Sequence, residues 1–125
     1  MTQRQWAVVT GASSGIGAAL AAALMEEGFD VLMRAEDDSV HDAAARLSEG
    51  DGVATALQAD LARARGVEQL LATIEAVGRP VDVLALNAGV GVWGPFVSSD
   101  WSDDLRLLEL NVISPVATAK HVVPD

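Results

Sequence analysis

Short apolar runs and longer amphipathic segments alternate along the chain. The apolar runs lie at residues 6–10, 31–33, 53–59 and 81–86. Short runs of this kind, bounded by turn residues, are typical of parallel strands that are buried on both faces. Residues 16–24, 39–47 and 67–74 instead place apolar side chains three or four positions apart, which predicts helices between the strands.

The last part of the chain predicts one more helix. Leu105, Leu108 and Val112 lie along one stripe of a segment that covers residues 98–118. Pro115 falls inside this segment and has no N–H group to donate, so it is expected to kink the helix or to end it.

The order of predicted elements, a helix after each strand, defines the fold. Strands separated by helices pair in parallel through right-handed crossovers. The sequence therefore predicts an α/β fold with a Rossmann-type, doubly wound sheet, as one domain over residues 1–125. The strand order is expected to be 3-2-1-4, with the fourth strand as an open edge because the chain ends after the next helix. Ligands of such sheets bind at the carboxyl ends of strands 1 and 4, where the loops after Thr10 and Leu86 lie.

The composition and net charge limit the kinds of molecule that the chain is expected to bind. The 125 residues suit one domain, and a formal net charge of −10 argues against binding to nucleic acid or to an anionic membrane. The chain has no cysteine, which excludes disulfides and thiolate metal sites, and no metal site is predicted. The sequence shows neither a signal peptide nor an apolar run long enough to span a bilayer, so a cytoplasmic location is expected.

A glycine-rich loop joins the first strand to the first helix. Thr10 is followed by Gly11, and Gly15 and Gly17 come at the start of the helix. Gly11 would allow a tight exit from the strand, Gly15 would let backbone N–H groups approach a pyrophosphate, and Gly17 would let the helix pack closely. Ser13 and Ser14 add hydroxyl donors next to a helix N-terminus, which itself attracts anions.

The segment Thr-Gly-x-x-x-Gly-Ile-Gly, which ends with Gly15, Ile16 and Gly17, resembles the cofactor loop of the main branch of the short-chain dehydrogenase/reductase family. Three further segments match that family in order and spacing. They are Asp60-Leu61, Asn87-Ala88-Gly89 and Asn111.

The resemblance implies a role for each of these segments. It implies that Asp60 and Leu61 contact the adenine ring, and that the Asn87–Gly89 segment borders the cofactor. Leu86 stands where the family motif has a first asparagine, a departure from the pattern. Asn111 corresponds to the asparagine of the family's catalytic tetrad. The implied cofactor is NAD or NADP.

The end of the second strand bears on the choice between NAD and NADP. By the family's spacing Ala35 occupies the usual position of an acid that binds the ribose 2′-OH, and Glu36 occupies a position that is often arginine in NADP enzymes. A carboxylate at Glu36 would repel a 2′-phosphate, which favours NAD. Arg34 is a competing signal, but strand alternation is expected to point it away from this site. A solvated acidic loop is the alternative interpretation of residues 36–38.

The groups that carry the family's proton transfer are not found in this sequence. The family uses a serine, a tyrosine and a lysine that follow the asparagine helix, whereas this chain has no tyrosine. Its single lysine, Lys120, has Val116 rather than tyrosine four positions before it. The resemblance therefore implies the N-terminal, cofactor-binding part of an oxidoreductase, and the 125 residues are expected to be catalytically inert by themselves.

Two other interpretations stay open. The chain could be a non-catalytic nucleotide-binding module, or a protein that completes its sheet with another subunit. Self-association, or a complementing C-terminal part, is expected because the fourth strand lacks a second neighbour. Trp93, Pro95 and Phe96 are interpreted as core residues in preference to one wall of a substrate pocket.

Overall fold

The computed structural model describes residues 4–124, so residues 1–3 and 125, the ends of the predicted domain, lie outside the described residues. The strands are β1 (Gln5–Thr10), β2 (Phe29–Ala35), β3 (Ala54–Gln58) and β4 (Val83–Ala85). The helices are α1 (Gly15–Glu26), α2 (Ser39–Leu47), α3 (Ala64–Val77), α4 (Trp101–Leu108) and α5 (Ser114–Val122). A 3-10 turn covers Phe96–Ser98, and a π-helical segment, Glu109–Ile113, joins α4 to α5.

The four strands form one parallel sheet in the order β3-β2-β1-β4. Val8 at the centre of β1 lies opposite Leu32 of β2 and Leu84 of β4. The predicted Rossmann-type, doubly wound topology is confirmed. Within residues 4–124, β4 pairs with β1 alone and is therefore an edge strand.

Helices cover both faces of the sheet. Ala7, Val9 and Met33 point to one face and pack in a buried cluster that includes residues of α1 and α2. Leu32, the neighbour of Met33, points to the other face and packs in a cluster with Leu70 of α3. This alternation explains the continuous apolar runs, since each face of a central strand meets a helix layer. Full burial of a side chain such as Leu70 contributes roughly 2 kcal/mol.

The last helix, predicted over residues 98–118 with a kink or an end at Pro115, is instead formed by α4, a π-helical segment and α5, so the irregularity precedes Pro115. Pro115 is the second residue of α5, which follows the π-helical segment without a break, so the continuous run lacks the N–H donor of this residue. The π-helical segment before it shifts the hydrogen-bond register by one residue. The Ser114 hydroxyl donates to the carbonyl of Leu110 at 3.0 Å and supports this junction.

Strand β4 is shorter than its apolar run predicts, because hydrogen bonds outside the strand ladder take over at both ends. At the start, the backbone N–H of Trp6 donates to the carboxylate of Asp82 at 2.8 Å. At the end, the backbone N–H of Asn87 donates to the side chain of Thr10 instead of to a strand carbonyl. An apolar run indicates which residues are buried. It does not indicate where side chains replace backbone carbonyls as hydrogen-bond acceptors.

Aromatic residues of the loop after β4 lie on the surface. Trp93 is 94% exposed and Phe96 is 83% exposed, so the interpretation of these residues as core residues is wrong. The structure places them beside α4, in a part of the molecule that has no helix or strand packed over it within residues 4–124.

One carboxylate, that of Asp30, links several segments at the amino end of β2. Asp30 accepts hydrogen bonds from Arg4 at 3.0 Å, from Arg79 at 3.0 Å and from the backbone N–H of Val53 at 2.8 Å. Burial alone would raise the pKa of Asp30, but these donors outweigh it and lower the pKa below its ordinary value. Asp30 thus connects β2 with the segments before β1, β3 and β4.

Replacing Asp30 with asparagine is expected to lower the free energy of unfolding by about 2 kcal/mol at pH 7, because it leaves two guanidinium groups without their carboxylate. Since the folded-state pKa is depressed, the stabilisation is present above the unfolded pKa and is lost as the pH falls through the folded one. Urea unfolding at pH 7 and pH 3 measures this, with the exposed Asp51→Asn as the control. A difference between wild type and Asp30→Asn that is the same at both pH values would contradict the assignment.

Candidate functional site

A buried threonine joins the carboxyl ends of β1 and β4. The hydroxyl oxygen of Thr10, which is 1% exposed, accepts hydrogen bonds from the backbone N–H groups of Asn87 at 3.0 Å and Ala88 at 3.1 Å. The same hydroxyl donates to the carbonyl of Ala85 at 3.4 Å. The two loops that the sequence predicts at this edge of the sheet are therefore adjacent.

The close approach predicted at Gly17 is confirmed. A Cβ atom at Gly17 would lie 2.0 Å from the carbonyl oxygen of Gly11 and 2.7 Å from the side-chain nitrogen of Asn87. That side-chain nitrogen donates to the Gly11 carbonyl at 3.3 Å. Helix α1 thus packs against both loops at once, and only glycine leaves room for it.

The start of α1 faces open space. Gly15 has φ +59°, a conformation that favours glycine, and a Cβ atom there would meet no atom within 4 Å. Ser14 is the N-cap residue and is exposed, and within residues 4–124 its side chain makes no capping hydrogen bond. The first N–H groups of the helix are therefore directed at a space that an anion can enter.

A polar cavity of about 270 Å³ lies at this edge of the sheet. It brings together many of the residues that the sequence predicts as cofactor-binding, namely Gly11, Ser13, Ser14, Glu36, Asp60, Asn87, Ala88 and Gly89. Its remaining lining residues are Arg34, Ala35, Asp37, Val90 and Leu110.

The other predicted site residues lie around the cavity and do not line it. Leu61 is packed in the core with α3, and Ile16 is 79% exposed on the first turn of α1. Thr10 and Gly17 hold the loops together, as described above. Gly15 lies at the exposed rim.

Asn111, on the π-helical segment, fixes the loop that follows β4. Its side-chain nitrogen donates to the carbonyl of Val90 at 2.7 Å, and its side-chain oxygen accepts from the N–H of Val90 at 2.9 Å. This pair of hydrogen bonds mimics a strand pairing and places Val90 at the cavity wall.

Arg34 lies inside the site, so the expectation that strand alternation points it away is wrong. Its side chain is 2% exposed, lines the cavity and donates to the carbonyl of Ala59 at 2.6 Å. Alternation does separate Arg34 from Met33, but the face it reaches opens into the cavity at the end of β2. Burial lowers the pKa of Arg34 to about 10, with nearby carboxylates such as Asp60 opposing the shift, so the guanidinium stays charged at neutral pH.

The acidic residues of the site are held by specific donors. Asp37 accepts from the hydroxyl groups of Ser39 and, at 3.2 Å, Ser13, and the Ser39 bond in particular lowers the pKa of Asp37. Burial alone would raise the pKa of Asp60, but the N–H of Ala62 at 2.9 Å and the side chain of Arg106 outweigh it and lower that pKa. Both aspartates are therefore ionised at neutral pH. Residues 36–38 are exposed, as the alternative of a solvated acidic loop expects, and Asp37 has hydroxyl donors within that loop region.

Arg106 was not predicted as part of the site. It extends from α4 and reaches Glu36 at 2.8 Å and Asp60 at 3.2 Å. No local sequence signal relates it to Glu36, which lies 70 positions earlier in the chain. Only the packing of the structure shows the contact.

The parallel sheet, the glycine loop that opens α1 and the polar cavity at the carboxyl ends define a Rossmann-type α/β domain. The family model for short chain dehydrogenase matches residues 5–125, and the chain belongs to that family. Among residues 4–124, the helices are too short or too polar to cross a membrane.

Known proteins resemble the chain over 69% to 98% of its length. The 1-deoxy-11-beta-hydroxypentalenate dehydrogenase of Streptomyces exfoliatus is 38% identical over 127 residues, which cover 98% of this chain and 46% of that relative. An NAD-dependent glycerol dehydrogenase of Listeria innocua is 38% identical over 86 residues, which cover 69% of this chain and 33% of the relative. The L-sorbose reductase of Gluconobacter frateurii, crystallised with NADPH and L-sorbose, superposes with a TM-score of 0.90 at 31% identity, over 98% of this chain and 47% of that one. The chain spans about half the length of the two relatives that match it throughout.

Proposed function

We propose that the chain binds the adenosine and pyrophosphate half of a nicotinamide dinucleotide, as the cofactor-binding part of an oxidoreductase. The observation that carries this proposal is the open, uncapped start of α1 at the rim of a polar cavity. A pyrophosphate placed there would accept from backbone N–H groups and gain from the helix dipole. The Nε atom of Arg34, which is buried and has no hydrogen-bond partner among residues 4–124, fits the same polyanion.

Predicted site residues of three loops have a place in this proposal. Ser13 and Ser14 would donate to phosphate oxygens, Asp60 and the backbone of Leu61 would border the adenine ring, and the segment 87–89 would line the path toward the nicotinamide. Their positions around one cavity support these roles, since they come from three separate loops of the sequence.

We propose NAD rather than NADP as the preferred cofactor. Ala35 offers no polar group, but the carboxylate of Glu36 lines the cavity directly after it. A carboxylate accepts a hydrogen bond from a ribose 2′-OH and repels a 2′-phosphate. The relatives include one named as NAD-dependent and one crystallised with NADPH, so the preference is argued from the residues of this chain.

We propose that the whole protein transfers a hydride between this cofactor and a carbonyl or alcohol substrate. The bound dinucleotide would supply the hydride acceptor or donor. Asn111 is proposed as the member of the catalytic tetrad that this chain provides. Because the 125 residues contain no tyrosine, the test of function on this chain is nucleotide binding and not turnover.

The open edge of the sheet supports a further part of the proposal, that another polypeptide segment covers it. Among the described residues 4–124, strand β4 has one neighbour. A cleft of about 590 Å³ beside α5 is lined by apolar residues such as Val112 and Val116, which are 50% and 61% exposed. Exposed apolar side chains and an open strand edge favour association. A second copy or a C-terminal part would fill this role.

The 125-residue chain by itself is therefore expected to self-associate as its concentration rises. Sedimentation velocity over a concentration series measures this. High salt is expected to strengthen the association, since it screens the net charge of −10. A monomer at every concentration and salt level would contradict the proposal.

The binding proposal is tested by titrating the chain with ADP-ribose, which is the dinucleotide without its nicotinamide and contains the adenosine and pyrophosphate, and following the backbone amide signals. Saturable changes are expected at the glycine loop. The absence of binding at millimolar ADP-ribose would overturn the proposed function.

A further inference from the structure

Arg106 connects helix α4 to the adenosine end of the proposed cofactor site. One of its terminal nitrogens lies 2.8 Å from a carboxylate oxygen of Glu36, and the other lies 3.2 Å and 3.5 Å from the two carboxylate oxygens of Asp60. The guanidinium side chain is about one third exposed. It does not line the polar cavity, but both carboxylates that it pairs with do.

The two carboxylates depend on Arg106 to different degrees. Asp60 also accepts from the N–H of Ala62 and lies 3.5 Å from Arg63. Glu36 pairs with Arg106 alone among the cations of residues 4–124. Glu36 is also the more exposed of the two carboxylates, so its side chain is the one that a ligand would meet. Removing the charge of Glu36 would release one of the terminal nitrogens of Arg106 while leaving its contact with Asp60.

A second guanidinium lies at the same end of the cavity. Arg34 lines the cavity next to Glu36, and its Nε atom has no hydrogen-bond partner among residues 4–124. A buried guanidinium with an unused donor favours an anion close to it. The cavity is therefore lined by one guanidinium, that of Arg34, and a second, that of Arg106, is paired with two carboxylates that line the cavity, Glu36 and Asp60.

We propose that Arg106 is a specificity-determining residue, whose guanidinium is held by Glu36 and becomes a ligand for a phosphate on the adenosine ribose when Glu36 loses its charge. In the native chain, the ion pair with Glu36 disfavours a 2′-phosphate, because it engages the guanidinium of Arg106 that would otherwise bind the phosphate. Arginine suits this role because its planar fork can bind a carboxylate or a phosphate with two hydrogen bonds. This inference rests on the proposed function, since it assumes that the cavity takes adenosine.

The test compares the affinities of ADP-ribose and its 2′-phosphorylated form by calorimetry. Glu36→Gln is expected to raise the affinity for the 2′-phosphorylated ligand relative to ADP-ribose by about tenfold. Adding Arg106→Gln to that variant is expected to remove most of the gain. The matched control adds Arg63→Gln instead, which removes the same charge near Asp60 without a contact to Glu36, and should keep the gain.

Each outcome decides the inference. A gain that persists in the Glu36→Gln/Arg106→Gln variant would overturn it, as would the absence of any gain in Glu36→Gln. Glu36→Gln/Arg106→Lys, which keeps a cation on α4, is expected to retain part of the gain, and this shows that loss in the glutamine variant is not misfolding. Failure of the wild-type chain to bind either ligand would overturn the proposed function and the inference with it, whereas binding with an unchanged ratio would overturn the inference alone.

Discussion

Replacing Gly17 with alanine is expected to cost about 3 kcal/mol of stability, or to prevent folding of the first strand–helix unit. The new methyl group would lie 2.0 Å from the backbone carbonyl of Gly11, a distance that no side-chain rotation can relieve. Helix α1 would have to move away from both loops, and the hydrogen bond between Asn87 and Gly11 would be lost with it.

Urea unfolding followed by circular dichroism measures this effect. Gly50→Ala is the matched control, because a Cβ atom at Gly50 meets no atom within 4 Å and its φ lies outside the positive range. The control is expected to change the stability by less than about 1 kcal/mol. Equal unfolding midpoints for the two variants would show that the close approach at Gly17 is not a feature of the folded protein.

Replacing Gly15 with valine is expected to reduce the affinity for ADP-ribose at least about 100-fold, equivalent to roughly 2.7 kcal/mol. Unlike Gly17, Gly15 has open space where a Cβ atom would point, so the side chain meets no protein atom. It would instead occupy the space in front of the α1 N-terminus, where the pyrophosphate is proposed to bind.

A valine at position 15 would also be strained, because the backbone there has a positive φ. The effect on ADP-ribose affinity must therefore be measured separately from the effect on stability. Gly78→Val provides the comparison, since Gly78 has φ +70° and open space around it but ends helix α3, far from the cavity residues in the structure. Both variants are expected to lose about 2 kcal/mol of stability. Only Gly15→Val is expected to lose binding. An equal loss of affinity in both variants would mean that strain, and not obstruction of the phosphate path, explains the result.

The sequence predicted those parts of the fold and site that depend on local signals. The order of strands follows from apolar runs and right-handed crossovers, and the close approach at Gly17 follows from the spacing of glycines between a strand and a helix. The adjacency of the loops after Thr10 and Leu86 also follows, because the carboxyl ends of parallel strands meet at one edge. These rules need no knowledge of tertiary contacts.

Features that depend on tertiary packing could not be predicted in this way. The ion pair between Arg106 and Glu36 joins α4 to the residue that follows β2, and no local pattern encodes this contact. Arg34 was misassigned because alternation gives the face of a strand but not where that face opens into a cavity. Trp93 and Phe96 have large aromatic side chains of the kind that usually packs in a core. No helix or strand of the described residues covers them. These two aromatic side chains therefore form part of an exposed surface and are not part of the core.

Backbone amide mapping of ADP-ribose binding on the 125-residue chain tests the central claim most directly. The account predicts saturable shifts at residues 11–17, at residues 36–37 near the end of β2, at Asp60, and at residues 87–89, the loops that surround the polar cavity. Shifts confined to α4 and α5, beside the apolar cleft, or the absence of saturable shifts at residues 11–17, would contradict the assignment of the glycine loop as a dinucleotide site.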